Sequence, residues 1–219
     1  ACVPHVVKDR YVTYAFNFTS GSLLRWYRDN FGAALLAAAK KRAIDPYQVM
    51  IEQALVGPSG LYVLPHFAGA ATPYMDNQAV GAIVGLGLDS TPARLIKALL
   101  EGINFEMMLN HARLAEAGVS ISELRVTGGL ARSETMLQLR ADMMGLQVSS
   151  LAVSEAGILG VAILAGTACG EYRSIDEGVE RLVRVGRSYT PNRQNHADYQ
   201  DHFLRYQRLY PAVREIYGR

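Results

Sequence analysis

An α/β fold is predicted by strands and helices that alternate along most of the chain. Three observations carry that reading. Tyr11 to Phe18 is rich in Tyr, Val, Thr and Phe, the composition of a strand, and a long helical stretch follows it. Leu95, Leu99, Ile103 and Met107 recur every four residues, which marks one face of a long helix. Leu124 to Gly170 reads as strand, Gly-Gly turn, helix, strand, helix. Half of the 219 residues are hydrophobic, enough for a sizeable core, and 19% are charged. This composition excludes a disordered chain, a fibrous repeat and a polyelectrolyte. A net charge of +2 argues for neither nucleic acid nor a membrane surface as partner.

The elements follow in order. After the Tyr11 to Phe18 strand, Thr19-Ser20-Gly21-Ser22 forms a turn and N-cap. Leu23 to Ala43 is helix, broken near Gly32. Asp45-Pro46 opens a shorter helix over Tyr47 to Val56, closed by Gly57-Pro58-Ser59-Gly60. Leu61 to Pro65 is a short strand, His66 to Asn77 a loop, and Val80 to Leu88 a closely packed strand. Asp89-Ser90-Thr91-Pro92 starts the longest helix, Ala93 to Gly118. Leu124 to Thr127 is strand, Glu134 to Met144 helix ended by Gly145, Gln147 to Leu151 strand, and Leu159 to Cys169 a small-residue helix. Ile175 to Val185 is an amphipathic helix, and His196 to Tyr217 a last, aromatic-rich helix broken at Pro211. The longest apolar run, Gly157 to Gly170, is too short to span a bilayer, which takes about 18 residues or more.

The sharpest local feature is Gly128-Gly129-Leu130-Ala131-Arg132-Ser133 after the Leu124 to Thr127 strand. Two glycines let the backbone approach a ligand with no Cβ in the way, and the helix that starts near Ser133 aims free N–H groups the same way. Such a corner either cradles an adenine, ribose or phosphate or simply makes the turn. It is not a phosphate-binding P-loop, because no Gly-Lys-Ser/Thr follows, and it lacks the Gly-x-Gly-x-x-Gly of a dinucleotide site.

The remaining polar residues read as structural. Asp142 is expected to pair with Arg140 or Arg132 or to satisfy a buried backbone group, and Glu101 and Glu106 read as helix polar residues. His66 and His111 have no Cys, His or carboxylate at ligand spacing, so no metal site is expected. Cys169 reads as a small core hydrophobe, and Gly157 and Gly160 as close helix contacts. Two distant cysteines fit a reducing, cytoplasmic setting. Tyr199, Phe203, Tyr206 and Tyr210 form a packing stripe, with Arg205, Arg208 and Arg214 as its solvated side.

Taken in order, several blocks resemble the C-terminal domain of the FGGY carbohydrate kinases, a family of glycerol, xylulose, ribulose, gluconate and fucose-type kinases. The blocks are Phe16-Asn17, Gly21 and Leu24-Arg25-Trp26-Tyr27-Arg28-Asp29; Pro65-His66-Phe67-Ala68-Gly69 with Pro73-Tyr74-Met75-Asp76 and Gly81 to Leu86; and Lys97 to Phe105. Then come Gly128 to Ser133 with Gln138 to Asp142 and Gly145 to Val148, and last Glu155 to Ala165. Departures occur at Met75, Arg94, Leu99 and Leu130.

The resemblance implies a ribonuclease-H-like (actin-like ATPase) domain, a mixed sheet flanked by helices. It implies that residues 1–219 are a single C-terminal domain whose N-terminal partner domain is not in this sequence. Gly128, Gly129, Ala131 and Ser133 match the adenosine-binding turn, and Gly81 and Gly85 match a strand segment that flanks the nucleotide. From the residues alone, Gly81 and Gly85 read as tight strand packing. The implied cofactors are ATP and Mg²⁺, the metal held mainly by the N-terminal domain. The implied acceptor is a sugar or polyol, with a homodimer as a further possible partner. The family places its general-base Asp and an Asp-x-Gly-Thr phosphate turn in the N-terminal domain. Neither is recognisable in this sequence, so no catalytic residue is assigned here, and Asp76-Asn77 belongs to the second block instead. The start at Ala1 without Met fits a beginning just past the interdomain junction. The alternative is a non-catalytic nucleotide-binding or dimerisation module derived from such a kinase.

Overall fold

The computed structural model describes residues 2–54 and 56–217. The reading of the start at Ala1 and position 55 of the helix expected over Tyr47 to Val56 lie outside these residues. In chain order the elements are β1 (Cys2–Pro4), β2 (Tyr11–Thr13), α1 (Gly21–Phe31), α2 (Ala33–Arg42), α3 (Pro46–Gln53), β3 (Tyr62–Leu64) and β4 (Ala82–Val84). There follow α4 (Pro92–Glu116), β5 (Glu123–Val126), a 3-10 turn (Gly129–Arg132), α5 (Glu134–Met144), β6 (Gln147–Leu151), α6 (Ala156–Ala168), α7 (Ile175–Leu182), β7 (Val185–Tyr189), α8 (Arg193–Tyr206) and α9 (Leu209–Tyr217). The chain divides into two compact units, Ala1–Tyr14 with Ser122–Ala141 and Leu146–Thr190, and Ala15–Ile121 with Asp142–Gly145 and Pro191–Arg219.

The first unit is built on a mixed sheet, β5-β6-β7. β5 runs parallel to β6, with Glu123 opposite Gln147 and Val126 opposite Ser150. β6 runs antiparallel to β7, with Val148 opposite Tyr189 and an irregularity between Ser149 and Leu151. Val126, Leu137, Ala141 and Val148 form the core over this sheet, joined by Leu124, Ala131 and Tyr189. Helices α6 and α7 approach closely at Gly178, where a Cβ would come 2.7 Å from Ile163 Cγ2. β1 and β2 form a separate antiparallel pair.

The second unit gathers around α4. Thr91 caps it, accepting from Arg94 N at 3.3 Å, and Pro92 opens its first turn, where the missing N–H costs nothing. Its residues from Ile96 to Phe105 are all buried, as befits the spacing of Leu95, Leu99 and Ile103. Gly102 lets β3 pass close by, since a Cβ there would lie 2.5 Å from the Val63 carbonyl oxygen. β3 pairs antiparallel with β4, Val63 opposite Ile83. From α8, Tyr199, Phe203 and Tyr206 set their rings around Phe105 at centroid distances of 6.3, 6.4 and 4.9 Å. Tyr210 of α9 stacks on Tyr74 at 3.7 Å. The stripe is a buried packing face, and Arg205, Arg208 and Arg214 are exposed as expected.

Several expectations are corrected. The strand expected over Tyr11 to Phe18 stops at Thr13, and β1, unanticipated, pairs with it. The helix expected to reach Val185 ends at Leu182, and Val185 instead begins β7, whose ladder to β6 outweighs the helical pattern. The break in the last helix falls at Gln207 and Arg208. Pro211 sits in the first turn of α9, where a proline removes no helical hydrogen bond. Cys169 is exposed at the end of α6 and is not a core residue. Among the described residues no atom lies within 4 Å of a Cβ placed on Gly157 or Gly160, so they make no close helix contact.

Candidate functional site

In the first unit, β5 delivers the chain into a corner with open space beside it. Gly128 adopts φ +83°, a left-handed conformation that disfavours any side chain. Its N–H donates to the Ser154 carbonyl at 3.3 Å, and its carbonyl accepts from Ala131 N at 3.1 Å. Ser133 closes the turn and opens α5: its hydroxyl accepts from Met136 N at 3.3 Å and its carbonyl from Leu137 N at 3.0 Å. Apart from its own chain neighbours, no described atom lies within 4 Å of a Cβ placed on Gly128 or Gly129. Ala131, half-buried, anchors the turn on the Val126 core. Gly128, Gly129, Ala131 and Ser133 are thus brought together in one corner. The acidic side chain next to it, Glu134, is engaged by Arg187.

Gly81 and Gly85 bracket β4 in the second unit. The Phe67 ring occupies the place where a Gly81 side chain would go. Gly85, at φ +95°, sits with its Cβ direction 3.4 Å from the Gly60 carbonyl oxygen and 3.5 Å from Leu61. Close strand packing, the reading from the residues alone, is therefore present at both.

Two buried carboxylates were read from the sequence as ordinary helix polar residues. Glu101, 2% exposed, accepts from Ser59 N at 3.1 Å, the Ser59 hydroxyl at 2.5 Å and the Tyr199 hydroxyl at 2.8 Å. Burial pushes its pKa up, opposed by the Ser59 hydroxyl bond, the Lys97 charge, the Tyr199 bond and the Ser59 N–H bond. Burial likewise pulls the Lys97 ammonium down, while Glu101 and Asp142 support its charge. Glu106 accepts from the Tyr206 hydroxyl at 2.6 Å and lies 3.3 Å from His66 Nε2. This pairing of His66 with a carboxylate spans 40 positions of sequence, beyond any ligand spacing. Asp142 accepts from Asn192 N and Asn195 Nδ2, both at 2.8 Å, and so satisfies a backbone group as anticipated. Asp76 accepts from Tyr210 and from Gln78 N, and the Tyr210 hydroxyl is pushed up to about 12 by burial and by that bond. Among the described residues no group of three His, Cys, Asp or Glu side chains could hold a metal ion. None of the described helices is long and apolar enough to cross a membrane.

A mixed sheet flanked by helices, entered through a strand–glycine–helix corner, defines a ribonuclease-H-like domain of the actin-like ATPase class. Residues 1–169 match the FGGY family of carbohydrate kinases, C-terminal domain, and the chain belongs to that family. A xylulose kinase from Staphylococcus epidermidis is 27% identical over 212 residues, covering 97% of this chain and 41% of the relative. An autoinducer-2 kinase from Yersinia pestis is 34% identical, covering 94% of this chain and 40% of the relative. Among solved structures, a xylulose kinase from Rhodospirillum rubrum superposes with a TM-score of 0.82 at 25% identity, over 100% of this chain and 43% of that one. A gluconate kinase from Lactobacillus acidophilus gives 0.76 at 25% identity, over 91% and 39%. The chain therefore spans about two fifths of the length of these relatives.

Proposed function

We propose that this chain supplies the adenosine side of the ATP site of a cytoplasmic carbohydrate kinase that phosphorylates a sugar or polyol hydroxyl. The observation that supports this reading is the Gly128–Ser133 corner, which borders open space at both glycines within the stretch that matches the family. That open space suits a flat adenine and ribose laid against backbone. A bulky side chain on either glycine would fill it. Ala131 keeps the turn low while anchoring it to the core, and Ser133 fixes the first turn of α5 beneath it.

When bound, ATP supplies the phosphoryl group and Mg²⁺ neutralises charge on it. No residue of this chain is assigned to the metal, which is held mainly by the N-terminal domain in this reading. The general-base Asp and the phosphate turn are assigned to an N-terminal domain, along with most sugar contacts, so this chain contributes no catalytic residue.

Titration calorimetry with ATP and ADP tests the assignment. The wild-type chain is expected to bind both. Gly129→Trp places an indole in the open space and is expected to abolish binding while leaving the circular dichroism spectrum unchanged. A wild-type chain without measurable affinity for either nucleotide would overturn the reading.

A further inference from the structure

Lysine is scarce in this chain: of its 22 lysines and arginines only four are lysine, Lys8, Lys40, Lys41 and Lys97. The first three are exposed. Lys97 lies in the buried stretch of α4 and is only 8% exposed. A buried ammonium is normally held against a carboxylate. Among the described residues Lys97 makes no hydrogen bond and no ion pair within 4 Å. The two carboxylates whose charge supports it are committed to other donors. Glu101, one turn further along α4, accepts from Ser59 N, the Ser59 hydroxyl and the Tyr199 hydroxyl at 3.1, 2.5 and 2.8 Å. Asp142 accepts from Asn192 N and Asn195 Nδ2, both at 2.8 Å. All of these residues belong to the second unit.

Burial without a close partner changes what the nitrogen can do. A guanidinium would keep its proton in such a place, whereas a desolvated lysine gives its proton up more readily. Burial accordingly pulls the Lys97 ammonium below its ordinary value of 10.5. The neutral amine is the nucleophile. The nitrogen is also not sealed off. The buried side-chain nitrogens and oxygens that lack a partner among the described residues are those of His66 and Asn110, and Lys97 is not one of them. A small molecule can therefore reach it, while its limited exposure keeps larger ones away.

We propose that Lys97 is a nucleophilic lysine, a modification site at which a small aldehyde is captured as an imine. The nitrogen lone pair adds to the carbonyl carbon and a C–N bond forms. Both amine hydrogens leave with the carbonyl oxygen as water, and the C=N bond replaces the C=O bond. Nothing is oxidised or reduced, and no reagent other than the aldehyde is consumed. The capture is independent of nucleotide binding.

The other three lysines give the test its internal reference. The full chain is treated at pH 7 with glycolaldehyde, a two-carbon hydroxyaldehyde, the imines are fixed with cyanoborohydride, and label at each lysine is quantified by mass spectrometry. Lys97 is expected to carry more label than Lys8, Lys40 and Lys41 combined, and to lose that lead when the chain is unfolded in guanidinium chloride. The lead should shrink as pH rises toward 10.5, where amines in water shed their protons as well. Lys97 labelled no more than the exposed lysines at pH 7 would overturn the proposal. A lead that survives unfolding would overturn it too, since the cause would then lie in the local sequence and not in burial.

Discussion

Glu101 shows how a single buried carboxylate makes stability depend on pH. Its folded-state pKa is raised above the ordinary carboxylate value of 4.5, first of all by burial. A raised value means that the folded chain holds this proton more tightly than the unfolded chain does. The group's contribution is therefore full below the unfolded value and is lost as pH rises through the folded one. Glu101→Gln has no proton to lose. Its stability relative to wild type should improve steadily as pH rises from about 4.5 toward neutral. Urea midpoints of both proteins across that range check the sign; a relative decline of the variant would mean that Ser59, Lys97 and Tyr199 favour the carboxylate more than burial opposes it. At this scale legibility was uneven. The Gly128–Ser133 corner could be read because turn chemistry is local: a positive φ, a small residue and a cap lie within six positions. Glu101 and Glu106 could not, because their partners Ser59, Tyr199 and Tyr206 are 42, 98 and 100 positions away.

Elements were most legible where local pattern and tertiary packing agree. Glu134–Met144 and Gln147–Leu151 fall where the pattern places them, the helix closed by Gly145 at φ +67°. β1 and β7 were missed because both are short and largely exposed, so neither shows the apolar alternation of a half-buried strand. The division of the first long helix was anticipated at Gly32, and its cause is steric. A Cβ on Gly32 would lie 2.5 Å from the Arg28 carbonyl oxygen and 2.9 Å from Arg28 Cα, both backbone atoms that cannot swing aside. Gly32 thus allows α1 to end and α2 to start with no connecting loop, while Leu23, Leu24 and Tyr27 of α1 and Leu35 and Ala39 of α2 stay buried. Gly32→Ala should lower stability by about 1–3 kcal/mol through this overpacking, despite the better helix propensity of alanine. Thermal unfolding followed by circular dichroism measures it; an unchanged or higher midpoint would show that the junction can straighten at no cost.

For the whole molecule, family membership follows from ordered blocks spread over most of the chain, which no single motif would establish. What the family's reaction requires can then be set against what these residues offer. Phosphoryl transfer to a sugar hydroxyl depends on placing the acceptor in line and on a carboxylate to receive its proton. Several carboxylates are occupied with structure: Glu101 and Glu106 are buried under tyrosine hydroxyls, Asp142 holds Asn192 and Asn195, and Glu134 is taken by Arg187. In the proposed function the open Gly128–Gly129 corner takes up the nucleoside, a role in binding and not in turnover. In the proposed function the acceptor site and the base are assigned to an N-terminal domain. The 219 residues as they stand should therefore bind ATP without consuming it. A coupled ADP-release assay across a panel of pentoses and polyols is expected to show no sugar-dependent rate above background. Adding a separately produced N-terminal domain from a related kinase gives the positive arm, since a rate that appears only in the mixture assigns the base to that domain. Sugar-dependent ADP release by the chain alone would contradict the assignment and would direct attention back to the half-buried Asp76, which holds Tyr210 and Gln78 at the edge of a small cleft.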